Sequence, residues 1–138
     1  MVFKEDTKPI QLKPYKVPLS LNDKVHDEIE RLLRLGHLEP VNVSNWATPV
    51  IPVLKSEGTV RLCGNFKLTV NPYLIIKRQP IPTKEEIFSK LQIGKKWSQL
   101  DLRHAFMQLS VEEESRDALT IITKEGLFRY TKLPEGLG

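Results

Sequence analysis

The stretch WATPVIPVLKSEGTVRLCGNF, from Trp46 to Phe66, decides the class of fold. Two runs rich in valine and other apolar residues flank the polar tripeptide Ser56-Glu57-Gly58. Such runs on both sides of a short, glycine-containing loop are typical of a β-hairpin. A second stretch, ALTIITKEGLFRYTKLP at positions 118–134, has the same form and turns at Lys124-Glu125-Gly126. We therefore expect two antiparallel hairpins.

The segment NDKVHDEIERLLRLG, from Asn22 to Gly36, precedes the first hairpin and has helical spacing. Its apolar residues recur at i, i+4, i+7 and i+8, and so they fall on one face: Val25, Ile29, Leu32 and Leu33. Asn22 is predicted to cap the start of the helix, because its side chain accepts a backbone N–H bond. Gly36 is predicted to end the helix, because glycine adopts left-handed conformations readily.

A second helix is predicted from Thr83 to Leu91, between the two hairpins. Thr83 and Glu86 have the spacing of a capping box, and we expect Ile87 and Leu91 to face the core. A further strand is predicted near Lys96 to Leu102. Helices and antiparallel hairpins in mixed order indicate an α+β fold rather than a doubly wound parallel sheet.

The composition narrows the class of protein. The chain has 138 residues, of which 40% are hydrophobic and 28% charged, and this balance argues against membrane and disordered classes. The single cysteine, Cys63, excludes an internal disulfide and favours a reducing compartment. The charged start, MVFKEDTKP, is unlike a secretory signal, so we expect an intracellular protein, cytoplasmic or nuclear, with no membrane partner. The net charge of +4 permits a polyanionic partner without requiring one.

Asp101 interrupts an otherwise apolar pattern in the stretch SQLDLRHAFMQLSVEEESR, residues 98–116. On a strand, Leu100 and Leu102 would point to one side and the carboxylate between them to the other. Either Asp101 faces water or it holds a ligand.

Four pieces of the chain, taken together, resemble a known family. They are WATPVIPVLKSEGTVRLCGNFKLTVNP, QPIPTKEEIFSKLQIGKKWSQLDLRHAFMQL, EEESRDALTIITKEGLFRYTKL and LPEGLG. In order and spacing they are similar to the reverse transcriptase of gypsy-type LTR retrotransposons, in the fingers and the first part of the palm, from about residue 19 to residue 138. The resemblance implies part of a right-hand polymerase: an extended arm (1–19), a fingers-like region (20–95) and a partial palm (96–138).

The resemblance implies a role for Asp101. It matches the metal-binding aspartate of the first palm strand, in the pattern L-D-L-x-x-A-[YF]-x-Q. Nucleotidyl transfer uses two Mg²⁺ ions roughly 4 Å apart, and Mg²⁺ prefers oxygen ligands. Asp101 and the backbone carbonyl of Leu102 would supply part of that cage. The alternative is a solvated aspartate on the outer face of a strand.

The resemblance also implies nucleotide-binding residues. Phe106 matches the aromatic side chain that crowds the sugar 2′-position and excludes ribonucleotides; the alternative is core packing. Lys55 and Arg61 flank the hairpin turn and match residues that reach the triphosphate; the alternative is ordinary exposed charge. Glu135 stands where the family has phenylalanine or glutamine in L-P-x-G, which would place a negative charge beside the nucleotide, unless Glu135 is simply exposed. Trp46 is either core or a platform for the template.

The function implied is RNA-directed DNA polymerisation on an RNA/DNA template-primer with deoxynucleoside triphosphates. The chain stops after LPEGLG, before the family's Y-x-D-D hairpin, so we expect a fragment that is inactive as an isolated chain, with weak or absent Mg²⁺ binding. The alternatives are a non-catalytic nucleic-acid-binding module and a protein-interaction module. The strand around residues 97–111 would then present an unpaired palm edge, covered by a second copy or by a protein partner.

Overall fold

The computed structural model describes residues 1–76, 79–92 and 94–138. In chain order the helices and strands are α1 (Asn22–Arg34), β1 (Leu38–Val41), β2 (Thr48–Leu54), β3 (Val60–Gly64), α2 (Lys84–Leu91), α3 (Glu113–Arg116), β4 (Thr120–Thr123) and β5 (Gly126–Tyr130). The strands form a five-stranded sheet in the order β1-β5-β4-β2-β3. The fold is therefore α+β, with one sheet and few helices in the described residues.

Both predicted hairpins are confirmed. β2 pairs with β3, and β4 with β5, in each case antiparallel. The two hairpins join through a short parallel ladder in which Thr48 faces Ile121 and Pro49 faces Ile122. The ladder was not expected, since it connects residues far apart in sequence. β1 adds to the free side of β5 as an edge strand, a place that tolerates its Pro40.

Helix α1 packs on the sheet through the predicted apolar face. Val25, Ile29 and Leu32 are buried, and they belong to the main hydrophobic core. The end of the helix is also as predicted: Gly36 has φ +67°, and the next residue, His37, donates its N–H back to the Leu32 carbonyl at 2.9 Å. This pattern is a Schellman motif.

The predicted cap at Asn22 is wrong. The helix begins at Asn22 itself, and the capping position falls on Leu21, which makes no side-chain cap bond. The cause is a turn of 3₁₀ helix, Leu19–Leu21, that leads directly into α1. Backbone bonds of that turn take the place of a side-chain cap.

Helix α2 has the predicted start but not the predicted burial. Thr83 and Glu86 form the capping box through bonds of 3.2 Å and 2.8 Å. Ile87 is 45% exposed and Leu91 is 38% exposed, and no residue of the helix is buried. The prediction that these side chains face the core is therefore wrong, because no layer of the described residues covers this short helix.

The predicted strand near Lys96–Leu102 is also wrong. These residues have no regular secondary structure, and the side chains of Leu100 and Leu102 are exposed. A strand needs a neighbour for its N–H and C=O groups, and this segment pairs with neither outer strand, β1 or β3, of the described sheet. Within the described residues, the predicted edge of residues 97–111 is paired at its end, where the Val111 N–H donates to the Thr131 carbonyl and the Leu133 N–H to the Leu109 carbonyl, each at 2.9 Å.

The N-terminal arm lies extended against the rest of the chain. Phe3 bridges to Leu74 and Gln11 to Ala47, each as an isolated β-bridge. The predicted division into residues 1–19, 20–95 and 96–138 stays a prediction. Among the described helices, none is long and apolar enough to cross a bilayer.

Candidate functional site

One cleft collects charged side chains from four separate parts of the chain. It lies between α1, the β2–β3 hairpin, the segment around residues 104–107 and the tail after β5. The lining residues are Glu28, Arg31, Leu32, His37, Lys55, Arg61, Leu62, His104, Met107 and Glu135. Three of the sequence-predicted site residues, Lys55, Arg61 and Glu135, therefore meet in one place.

The hairpin geometry places Lys55 and Arg61 in the cleft. Arg61 lies on β3 between Val60 and Leu62, which are both buried, so the alternation of the strand turns Arg61 outward. Lys55 directly follows the facing strand β2, and its N–H donates to the Thr59 carbonyl at 2.8 Å. The two cations thus sit on one rigid element.

Each of the two hairpin cations already faces a carboxylate. The Arg61 Nη1 lies 2.5 Å from the Glu135 Oε2. The Lys55 Nζ lies 3.6 Å from the Glu57 Oε1. Sequence reasoning missed both pairs. Glu135 lies 74 positions after Arg61 in the printed sequence, and no local pattern joins them, whereas Glu57 was interpreted only as part of the hairpin turn.

The opposite wall of the cleft carries a third ion pair. Arg31 donates from Nε and Nη2 to the two carboxylate oxygens of Glu28, at 2.7 Å and 2.9 Å. Beside it, burial lowers the pKa of His37, and the positive charges of Lys132, Arg31 and His104 lower it further. A neutral imidazole and a neutralised guanidinium therefore form this wall at pH 7.

A buried phenol lies near the two acidic residues of the cleft. Tyr130 is completely buried, and within the described part of the chain its hydroxyl has no hydrogen-bond partner. Burial raises the pKa of Tyr130 far above its ordinary value, and the charges of Cys63, Glu28 and Glu135 add to that effect. The phenol is therefore protonated and able to donate one hydrogen bond.

Asp101 and Leu102 lie outside this cleft. Both are exposed, as is Phe106, although Met107 next to it lines the cleft. Across residues 1–76, 79–92 and 94–138, no three His, Cys, Asp or Glu side chains are grouped as metal ligands. One carboxylate and one carbonyl do not make a two-metal cage, so the residues present do not fit that group by themselves.

Trp46 belongs to the core. It is 6% exposed, and the ring of Phe3 stacks on it. Of the two alternatives left open by the sequence, core packing is the one observed. The arm residue Phe3, which no sequence pattern singled out, covers this position.

The chain is similar to polyproteins of mobile elements and to a retroviral enzyme. No family model matches it. The chain is 29% identical over 138 residues to the retrovirus-related Pol polyprotein from transposon 412 of Drosophila melanogaster. That match covers 96% of this chain but 11% of the relative, so the chain spans about a tenth of the relative's length.

Solved structures of a foamy virus enzyme share the fold. The crystal structure of prototype foamy virus protease-reverse transcriptase matches with a TM-score of 0.79 and 26% identity, over 96% of this chain and 18% of that chain. A foamy viral protease-reverse transcriptase in complex with double-stranded DNA matches with a TM-score of 0.75 and 18% identity, over 95% of this chain and 23% of that chain. The relatives of this chain are thus retrotransposon and retroviral Pol proteins.

Proposed function

We propose that this chain is the fingers and first palm segment of a gypsy-type retrotransposon reverse transcriptase, and that its cleft receives the incoming deoxynucleoside triphosphate. The observation that carries the proposal is the meeting of Lys55 and Arg61, two cations fixed by one hairpin, in a single cleft. The 26% identity to a solved protease-reverse transcriptase supports the same assignment.

The chemistry of the two cations suits a triphosphate. The guanidinium of Arg61 can give two parallel N–H bonds to phosphate oxygens, whereas Lys55 offers a compact charge that tolerates several positions. Phe106 is 54% exposed, beside a residue of the cleft, and a ring there can crowd a sugar 2′-hydroxyl without any hydrogen bond. In this proposal Phe106 selects deoxyribonucleotides by shape.

In this proposal Mg²⁺ binds to a larger assembly and not to the 138-residue chain alone. Asp101 and the Leu102 carbonyl would contribute ligands, and the ions would supply charge neutralisation at the phosphates. The remaining carboxylates have to come from residues beyond those described. We therefore expect the 138-residue chain, taken alone, to extend no primer.

Triphosphate binding and primer extension test the proposal separately. Calorimetric titration with a deoxynucleoside triphosphate should show binding that weakens about tenfold in Arg61→Gln, the loss expected for a charged hydrogen-bond partner. Arg34→Gln, an exposed arginine outside the cleft, is the matched control and should bind like the parent. Binding that is indifferent to Arg61 and Lys55 would contradict the proposed site.

The polymerase assay uses an RNA template with a DNA primer. No incorporation is expected from the purified chain. Incorporation that disappears in Asp101→Asn would show that the catalytic cage is complete after all, and that the chain is an active enzyme.

A second candidate function is that of a partner-binding module. Exposed apolar side chains between residues 97 and 109 favour it, among them Trp97 at 60% and Leu100 at 90% exposure. A gel shift with an RNA–DNA hybrid across a salt series separates a nucleic-acid partner from a protein partner, because phosphate contacts weaken steeply with salt.

A further inference from the structure

We infer that the Glu135 carboxylate competes with an anionic ligand for Arg61: the ion pair between Glu135 and Arg61 must open before a polyphosphate can reach that guanidinium. The inference rests on the proposed function for the class of ligand. It adds that the Glu135 carboxylate occupies the place on Arg61 that a phosphate group of the ligand would take.

The two side chains are accessible enough to exchange partners. The Arg61 side chain is 45% exposed and that of Glu135 is 35% exposed, while their charged atoms lie 2.5 Å apart. A contact at that exposure can open at modest cost, so the carboxylate delays a ligand rather than excluding it.

Glu135 is held over Arg61 by the tail on both sides of it. Pro134, directly before it, is buried. After it, the Gly136 carbonyl accepts a bond of 3.0 Å from the Asn71 Nδ2, and the Asn71 Oδ1 accepts one of 3.1 Å from the Gly138 N–H. Asn71 therefore acts as a positioning residue for the carboxylate, and the pair is not a chance meeting of two mobile side chains.

The charge of the cleft depends on Glu135. Arg31, Lys55 and Arg61 contribute three positive charges to the lining, and Glu28 and Glu135 contribute two negative ones. These five side chains together give the lining a net charge of +1, which is little for a ligand of charge −3 or −4. If Glu135 moves away from the cleft, the net charge of the lining rises from +1 to +2, and the Arg61 guanidinium becomes free to bind a phosphate.

The test measures binding of inorganic triphosphate to the full chain by calorimetry, without magnesium. Glu135→Gln removes the charge and keeps the shape, and it should bind triphosphate about fivefold more tightly than the parent, the size expected of a half-exposed ion pair. Glu5→Gln, an exposed acidic residue of the arm, makes the same change of net charge away from the cleft and should have no effect. Asn71→Ala changes no charge, loosens the tail, and should shift affinity in the same direction by a smaller factor.

A double variant tests whether the gain in triphosphate affinity depends on Arg61. In the Arg61→Gln background, Glu135→Gln should give no gain, because the guanidinium it would free is gone. Equal binding by the parent and Glu135→Gln overturns the inference, and so does a gain that persists without Arg61. Binding that depends on Arg61 but not on Glu135 would leave the proposed nucleotide site intact and remove the competitor alone. Binding indifferent to Arg61 would contradict both.

Discussion

The ring of Phe3 stacks on the indole of Trp46, with the ring centroids 5.7 Å apart and the planes inclined by 27°. Trp46 lies two residues before β2, an inner strand of the sheet, so the stack fastens the N-terminal arm to the core. Further along the arm, the Leu12 N–H donates to the Ala47 carbonyl at 2.9 Å. The arm is therefore part of the folded structure and not a tether.

Removal of the Phe3 ring should destabilise the whole fold. Because Phe3 is half-buried, we expect Phe3→Ala to lower the free energy of unfolding by about 2 kcal/mol, less than the usual loss for a fully buried ring. Urea unfolding followed by tryptophan fluorescence measures the change. Val2→Ala, at a neighbouring exposed position, is the control and should cost far less. Equal losses in both variants would mean that the stack contributes nothing.

The ion pair between His26 and Glu125 predicts the direction of a pH effect. The Nδ1 of His26 lies 3.0 Å from the Glu125 carboxylate, and this hydrogen bond, with the carboxylate charge, raises the pKa of His26 above 6.5. The folded state then favours the protonated imidazole. Its contribution to stability is complete below pH 6.5 and is lost as the pH rises through the raised pKa.

Proton NMR of the histidine side chains tests this effect. His26 should titrate above pH 6.5, and Glu125→Gln should move its pKa back towards 6.5. His37 is the internal control, because burial lowers its pKa, so it should titrate below pH 6.5 in both proteins. A His26 pKa that does not respond to Glu125→Gln would show that the pair is absent in solution.

The exposed apolar segment predicts self-association. Leu100, Phe106 and Leu109 are each more than half exposed, and soluble monomers rarely leave large apolar patches open. This segment contains no unpaired edge strand, but its apolar side chains are exposed. We expect light scattering to show dimers or larger species at micromolar concentration, and Leu109→Lys to weaken them.

The matched control for self-association is Leu19→Lys, at a leucine that is 88% exposed outside this segment. It should associate like the parent. A chain that stays monomeric at high micromolar concentration, with no partner present, would contradict the prediction.

Divalent cations should bind weakly. Asp101 is exposed and belongs to no group of three or more His, Cys, Asp or Glu side chains in the described residues, so Mg²⁺ would keep most of its hydration shell. Calorimetric titration should give a dissociation constant of about a millimolar or weaker. Micromolar affinity, lost in Asp101→Asn but retained in Asp6→Asn, would mean that other ligands complete the site.

The parts of the fold that sequence could predict are those determined by neighbours along the chain. Turn residues at Ser56-Glu57-Gly58, helical periodicity before Gly36 and the capping box at Thr83 all act within a few positions, and all were confirmed. The wrong predictions concern contacts between residues that are far apart in the sequence. Whether Leu91 is covered, or Leu100 lies in a strand, depends on a partner element elsewhere in the chain.

In the candidate site, too, local geometry could be predicted from the sequence and long-range contacts could not. Hairpin geometry was enough to place Lys55 and Arg61 near one another. The pairing of Arg61 with Glu135 depends on how Asn71 fastens the tail, a contact across 65 positions that no local pattern encodes. The roles of Asp101, Leu102, Phe106 and Glu135 in a reaction stay predictions.

The parallel ladder between Thr48 and Ile121 sets a limit on how quickly this protein can fold. Hairpins form in about 1–10 μs, but this ladder joins residues about 70 positions apart, and closing so long a loop is slow. During synthesis at roughly 5–20 residues per second, the first hairpin, complete at Gly64, would wait roughly 3–12 s for β4 to be made. Throughout that interval the side of β2 that later pairs with β4 is an open edge, on which another strand could pair wrongly.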